Sequence, residues 1–116
     1  MQDVPIDKHK LNYCQAVLLW LFVTEYWLHA DKYAEALTSI RLALKLATRV
    51  PDHETALKLF ELQGRICITI CNYPGAQQAY QRMRDVAEDK QEPTWTIKAY
   101  LLLCQCFIGA RKYEDA

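Results

Sequence analysis

A shift of 40 residues maps this chain onto itself. It aligns Lys32-Tyr33-Ala34-Glu35-Ala36 with Asn72-Tyr73-Pro74-Gly75-Ala76 and with Lys112-Tyr113-Glu114-Asp115-Ala116, and Tyr and Ala recur in all three. The same shift stacks Trp20, Phe60 and Tyr100 in one column. At 11% aromatic content, three aromatics in one column arise by chance about once per thousand columns. Further columns agree in chemistry: Trp27, Cys67 and Phe107; Leu28, Ile68 and Ile108; Phe22, Leu62 and Leu102. A period of this size marks an array of one supersecondary unit, each unit covering its neighbour's apolar face.

The unit is helical. Ala36, Ile40, Ala43 and Ala47 fall at the i, i+4, i+7, i+11 spacing of one helix face, and Ala76, Tyr80, Met83 and Ala87 repeat it. Three glycines and four prolines leave little material for strand-rich, turn-dense architectures. Val50-Pro51-Asp52 and Asp89-Lys90-Gln91-Glu92-Pro93 separate helices, because the residue before proline is pushed out of the helical region and proline is tolerated in a first turn. Asp31 and Asn72 suit N-caps just before the Tyr-x-x-Ala motifs. These signals predict helices over roughly 8–29, 32–49, 53–70, 73–89 and 94–110, with a sixth opening at Tyr113. The expected organisation is a single all-α domain, 1–116, holding hairpins over about 8–49 and 53–89 and an incomplete third over about 94–116.

Each unit is a long helix, a tight turn, a second helix and a proline-containing connection. This pattern resembles the tetratricopeptide repeat family, whose motif has an aromatic in the first helix, a small residue one turn on, another aromatic a turn beyond, and Tyr-x-x-Ala opening the second helix. Trp20, Thr24, Trp27, Tyr33 and Ala36 take these places in the first copy; Phe60, Gly64, Cys67, Tyr73 and Ala76 in the second; Tyr100, Cys104, Phe107, Tyr113 and Ala116 in the third. The likeness covers nearly the whole chain. The family's usual period is about 34 residues, so helices or connections are longer here, and the closing proline is displaced to Pro51 and Pro93. HEAT and armadillo repeats have periods near this one; the Tyr-x-x-Ala motif and the aromatic column favour the tetratricopeptide class.

The resemblance implies hairpins stacked as a short right-handed superhelix, and a non-enzymatic protein-binding scaffold or adaptor whose first helices line a concave groove for a partner peptide or helix. By that register the groove columns are Leu18, Lys58 and Lys98; Leu21, Glu61 and Leu101; Glu25, Arg65 and Gln105; and Leu28, Ile68 and Ile108, with His29, Thr69 and Gly109 beside them. No Asn occupies these columns, and Leu18, Leu21 and Glu25 replace polar groups in the first copy, which disfavours a clamp for a peptide carboxylate. Lys58, Arg65 and Lys98 remain suited to an acidic partner.

The first helix reads Ala16-Val17-Leu18-Leu19-Trp20-Leu21-Phe22-Val23, apolar on every side. Such a helix must be covered all round. Residues 1–10 folding back, a second copy or a different protein would supply the cover, and Leu19, Trp20 and Phe22 form the expected homodimer or partner patch. At the other end Trp95, Tyr100, Leu102, Leu103 and Phe107 await the partner that Ile40 or Tyr80 supplies in earlier copies. The chain reads as a piece of a longer array or as a protein completed by a partner.

Charge excludes other classes. Lys plus Arg and Asp plus Glu each number 14 and divide evenly between the two halves, so neither the basic footprint of a nucleic-acid binder nor an attraction to anionic membranes is present. The run Ala16 to Val23 is far shorter than the roughly 20 residues that span a bilayer. The N-terminus lacks the basic and apolar regions of a secretory signal, which points to the cytoplasm or nucleus. An odd count of five cysteines there reads as reduced thiols.

Little catalytic chemistry is visible. Cys67 and Cys71 at i, i+4 supply half a metal site at most, and Cys104 and Cys106 face away from each other on a helix. Cys67 and Cys104 stand in columns that make them small core residues. His9, His29 and His53 sit near predicted helix ends with no nucleophile at a paired spacing, and Gly64, Gly75 and Gly109 are isolated rather than a phosphate loop. Arg41, Lys45 and Arg49 form a basic stripe that reads as a solvated face. The expectation is no catalysis, no metal, no cofactor and no small-molecule substrate. The competing classes are a helical-array enzyme or metal-binding domain using cysteines, and a nucleic-acid-binding helical repeat.

Overall fold

The computed structural model describes the backbone of residues 5–50 and 52–115 and the side chains of residues 13–50 and 52–112. The described residues form five helices, α1 (Pro5–His29), α2 (Tyr33–Ala47), α3 (His53–Thr69), α4 (Tyr73–Asp89) and α5 (Pro93–Asp115), with no strand among them. The chain divides into two compact units, residues 1–56 and 57–116, the boundary falling in the first turn of α3.

In the first unit α1 and α2 pack against each other across a three-residue turn. The Arg49 guanidinium, just past α2, donates to Tyr13 Oη at 3.1 Å and stacks over the Tyr13 ring near the start of α1, so the two helices run antiparallel. The small stripe Ala36, Ile40, Ala43, Ala47 is buried, as its spacing requires, and on α1 Val17 and Thr24 are buried. Thr24 satisfies its hydroxyl by donating to the Trp20 carbonyl at 2.8 Å. From Pro5 the chain is already in α1, so residues 5–10 extend that helix instead of folding back over it.

In the second unit α4 lies between two partners. Gly64 of α3 faces Tyr80 of α4 so closely that a methyl group at Gly64 would overlap the ring. Tyr80 is fully buried with Ala76, Met83 and Ala87. On its other side α4 packs against α5. Tyr100 Oη donates to Glu88 Oε2 at 2.8 Å at one end, and the Cys106 thiol donates to the Tyr73 carbonyl at 3.5 Å at the other. Lys98 of α5 reaches Glu61 of α3 at 3.1 Å.

Three helix ends share one solution. Asp31, Cys71 and Gln91 have φ of 58°, 61° and 56°, the left-handed conformation usually given to glycine. In each the next residue's N–H reaches back across the turn: Lys32 to the Trp27 carbonyl, Asn72 to Cys67, Glu92 to Ala87, at 2.7–2.8 Å. These are Schellman closures, and they satisfy carbonyls that a helix end leaves open. Asp31 is therefore the closing residue of α1 and not the N-cap of α2; the N-cap is Lys32, without a side-chain bond. Asn72 does cap α4, accepting from Gly75 N–H at 3.1 Å, and Asp52 accepts from Glu54 N–H at 3.0 Å at the start of α3.

The third copy departs from the expected turn. Arg111, the counterpart of Asp31 and Cys71, stays helical, and α5 continues to Asp115 without a sixth helix opening at Tyr113. Ala110, Arg111 and Lys112 are strong helix formers, and leaving the helix there would put the bulky arginine in the left-handed region. The side chains of Tyr113 and Ala116, and Pro51 with its connection, lie outside the described residues, as do the His9 side chain and the side chains of residues 1–10.

Candidate functional site

The predicted groove residues fall on α1 in the first unit and on α3 and α5 in the second. On α1, Leu18 and Glu25 are exposed while Leu21 and Leu28 are half-buried. In the second unit Lys58, Arg65, Lys98, Leu101 and Gln105 are exposed, and Glu61 and Ile68 are half-buried. The Lys98–Glu61 ion pair joins the α3 and α5 columns directly. Lys98 also lies 5.0 Å over the Trp95 ring, so its charge is already engaged twice and offers an acidic ligand less than a free lysine would.

The expected patch on α1 divides. Leu19 and Phe22 are exposed, and Leu18 and Tyr26 join them; Trp20 is half-buried, standing within one turn of the buried Val17 and Thr24. At α5 the expectation of unpartnered Trp95, Tyr100, Leu102, Leu103 and Phe107 holds for Phe107 alone; Tyr100 is exposed, but its hydroxyl donates to Glu88 and its ring lies under Arg84, both on α4. Leu103 is buried with Ala99 and Cys106, and Leu102 and Trp95 are half-buried. In their place Ile97, Leu101 and Ile108 join Tyr100 and Phe107 in an exposed apolar stripe at i, i+3/i+4 and i+10/i+11. Ile97 and Tyr26 were not among the predicted residues. The column Val17, Leu57, Ile97 carried the signal for the first.

The cysteines correct the sequence reading in two places. Cys104 is exposed, and Cys106 is the buried one, its thiol pushed up by burial. Cys71 follows the end of α3 in the left-handed conformation, so it does not share a helix face with Cys67. No disulfide and no cluster of three or more His, Cys, Asp or Glu suited to a metal occurs among the described residues. Arg41, Lys45 and Arg49 are all exposed. His29 and His53 are the terminal residues of α1 and α3. A shallow open depression at the α4–α5 turn is lined by Glu88, Gln91, Glu92, Pro93, Thr96 and Ile97. No helix among the described residues is long and apolar enough to cross a membrane.

No protein-family model, no curated protein and no solved structure matches the chain.

Proposed function

We propose that this chain is a tetratricopeptide-like, non-enzymatic scaffold that binds a partner peptide or helix through the exposed faces of its first-position helices, α1, α3 and α5. One observation carries the reading: large apolar side chains stand in solvent in two ordered stripes, Leu18, Leu19, Phe22 and Tyr26 on α1 and Ile97, Tyr100, Leu101, Phe107 and Ile108 on α5. Scattered exposed leucines are ordinary, but contiguous apolar stripes of several hundred Å² mark interfaces. The 40-residue repetition supports the reading, because repeat proteins use such helix faces for recognition.

The test places a photo-crosslinking residue at Phe22 or at Leu101, with exposed Gln78 as the control position. Expressed in its native cell, the protein should give discrete crosslinked bands from the two apolar positions and none from position 78. Equal labelling from all three would remove the scaffold reading.

A further inference from the structure

Among the described residues, the Tyr80 hydroxyl is the buried side-chain oxygen that no hydrogen bond satisfies. The side chain is 0% exposed and its phenol end lies against Gly64, so the hydroxyl has crossed from α4 to the flank of α3. Burial is the main force pushing the phenol up to about 12; Cys106, Glu61 and Cys67 add to the shift and Arg65 opposes it, which sets all four within electrostatic reach of the hydroxyl. Arg65 offers no acceptor, and thiols are weak ones. Glu61 is the carboxylate of the group. It stands three residues before Gly64, where side chains of one helix face are neighbours about 5–6 Å apart at Cβ. In the structure its Oε2 is held by the Lys98 ammonium of α5 at 3.1 Å. The Glu61 side chain is 18% exposed and that of Lys98 48%, so the carboxylate has more to lose if the pair parts.

We propose that Glu61 is a two-position carboxylate, paired with Lys98 in the structure and turning to accept from the Tyr80 hydroxyl when Lys98 is drawn away. A half-buried carboxylate stripped of its cation carries a desolvation cost, and a buried hydroxyl without an acceptor carries another. The turn settles both with one charge-assisted bond. The movement is a rotation about side-chain torsions between staggered wells, and it leaves the helix backbones in place. Lys98, half exposed and 5.0 Å over the Trp95 ring, needs no new partner from the protein. The device therefore lowers the cost of handing Lys98 to an anionic group of a bound partner; that consequence, and not the exchange itself, rests on the scaffold reading.

The experiment is a urea-unfolding series on the full chain that combines Tyr80→Phe with Lys98→Met, which removes the ammonium and keeps an unbranched stem. With Lys98 in place, Tyr80→Phe should raise the unfolding midpoint by roughly 0.5 M, because it deletes an unsatisfied hydroxyl. In the Lys98→Met chain the same substitution should lower the midpoint, because the hydroxyl now holds Glu61. Adding Glu61→Met to Lys98→Met should restore the gain. A spectroscopic readout separates this bond from packing in general. With tyrosines labelled by 13C at Cζ and the Tyr80 signal identified by its loss in Tyr80→Phe, that signal should move downfield on Lys98→Met and stay in place when Glu61→Met accompanies it. A Tyr80→Phe effect of the same sign with and without Lys98→Met, or a Tyr80 signal that Lys98→Met leaves unchanged, overturns the proposal. Neither result touches the scaffold reading, which is decided by the crosslinks from Phe22 and Leu101.

Discussion

Tyr80 and Gly64 show how one residue pair can fix a helix crossing. The ring of Tyr80 is fully buried, its hydroxyl has no hydrogen-bond partner among the described residues, and burial pushes the phenol up to about 12. A buried unpaired hydroxyl costs about 1–3 kcal/mol, so Tyr80→Phe should raise the free energy of unfolding by about 1 kcal/mol at neutral pH, measured by urea denaturation. The same substitution should change the alkaline limb. An unfolded tyrosine ionises near pH 10, and the folded one holds its proton to about 12, so folding stability is intact below pH 10 and falls as pH rises through that window, by about 3 kcal/mol at most. The Phe variant should lack that fall. Gly64→Ala should act in the opposite direction from helix propensity: alanine gains about 1 kcal/mol in a helix interior, yet its methyl would overlap a ring that cannot move aside, so a net loss of about 1–3 kcal/mol should appear. Combining it with Tyr80→Leu should recover much of the loss, and strict additivity in that double-mutant cycle would show that the two side chains do not meet.

At the scale of the element, the helices were legible and their ends less so. The stripes Ala36–Ala47 and Ala76–Ala87 announced α2 and α4 because their periodicity is the geometry of packing itself. The turns escaped because their left-handed positions hold Asp31, Cys71 and Gln91, where the sequence signal would be glycine. Reading Asp31 as an N-cap followed from the same ambiguity, since aspartate suits both a cap and a left-handed residue. The candidate stripes were half legible for a similar reason: columns identify which positions are equivalent, but which of them are covered depends on neighbours that no single column contains. Leu103 and Cys104 exchanged their expected roles on α5 in this way. Cys71→Gly tests the turn. It removes the cost of a side chain at φ 61° against the extra entropy of glycine in the unfolded chain, and should stabilise the protein by up to about 1 kcal/mol in thermal melts. Asn72→Ala beside it should cost about 1 kcal/mol, because the cap on Gly75 N–H is lost.

The whole molecule combines a formal net charge of zero, a pI near 6.8 and uncovered apolar stripes. Without a net charge, copies have no long-range repulsion to hold them apart at neutral pH. Leu18, Leu19, Phe22 and Tyr26 on α1 then supply the attraction, since each large apolar side chain taken fully out of water is worth roughly 1.5–3 kcal/mol. Pairing of this stripe with itself is closed by a two-fold axis and stops at a dimer. In sedimentation velocity across a wide concentration range near pH 7, a species heavier than the 13.5 kDa chain should therefore grow in as concentration rises. Phe22→Glu should return it to monomer without changing the melt, because that side chain is exposed and its loss removes no core contact. Ile97→Glu should leave the dimer intact, since α5 is not the face used. Salt separates this behaviour from a charge-driven one: apolar association should persist when sodium chloride is raised about tenfold, whereas binding carried by phosphate contacts would fall steeply over the same range. A single 13.5 kDa species at every concentration would mean that the α1 stripe is satisfied by something other than a second copy.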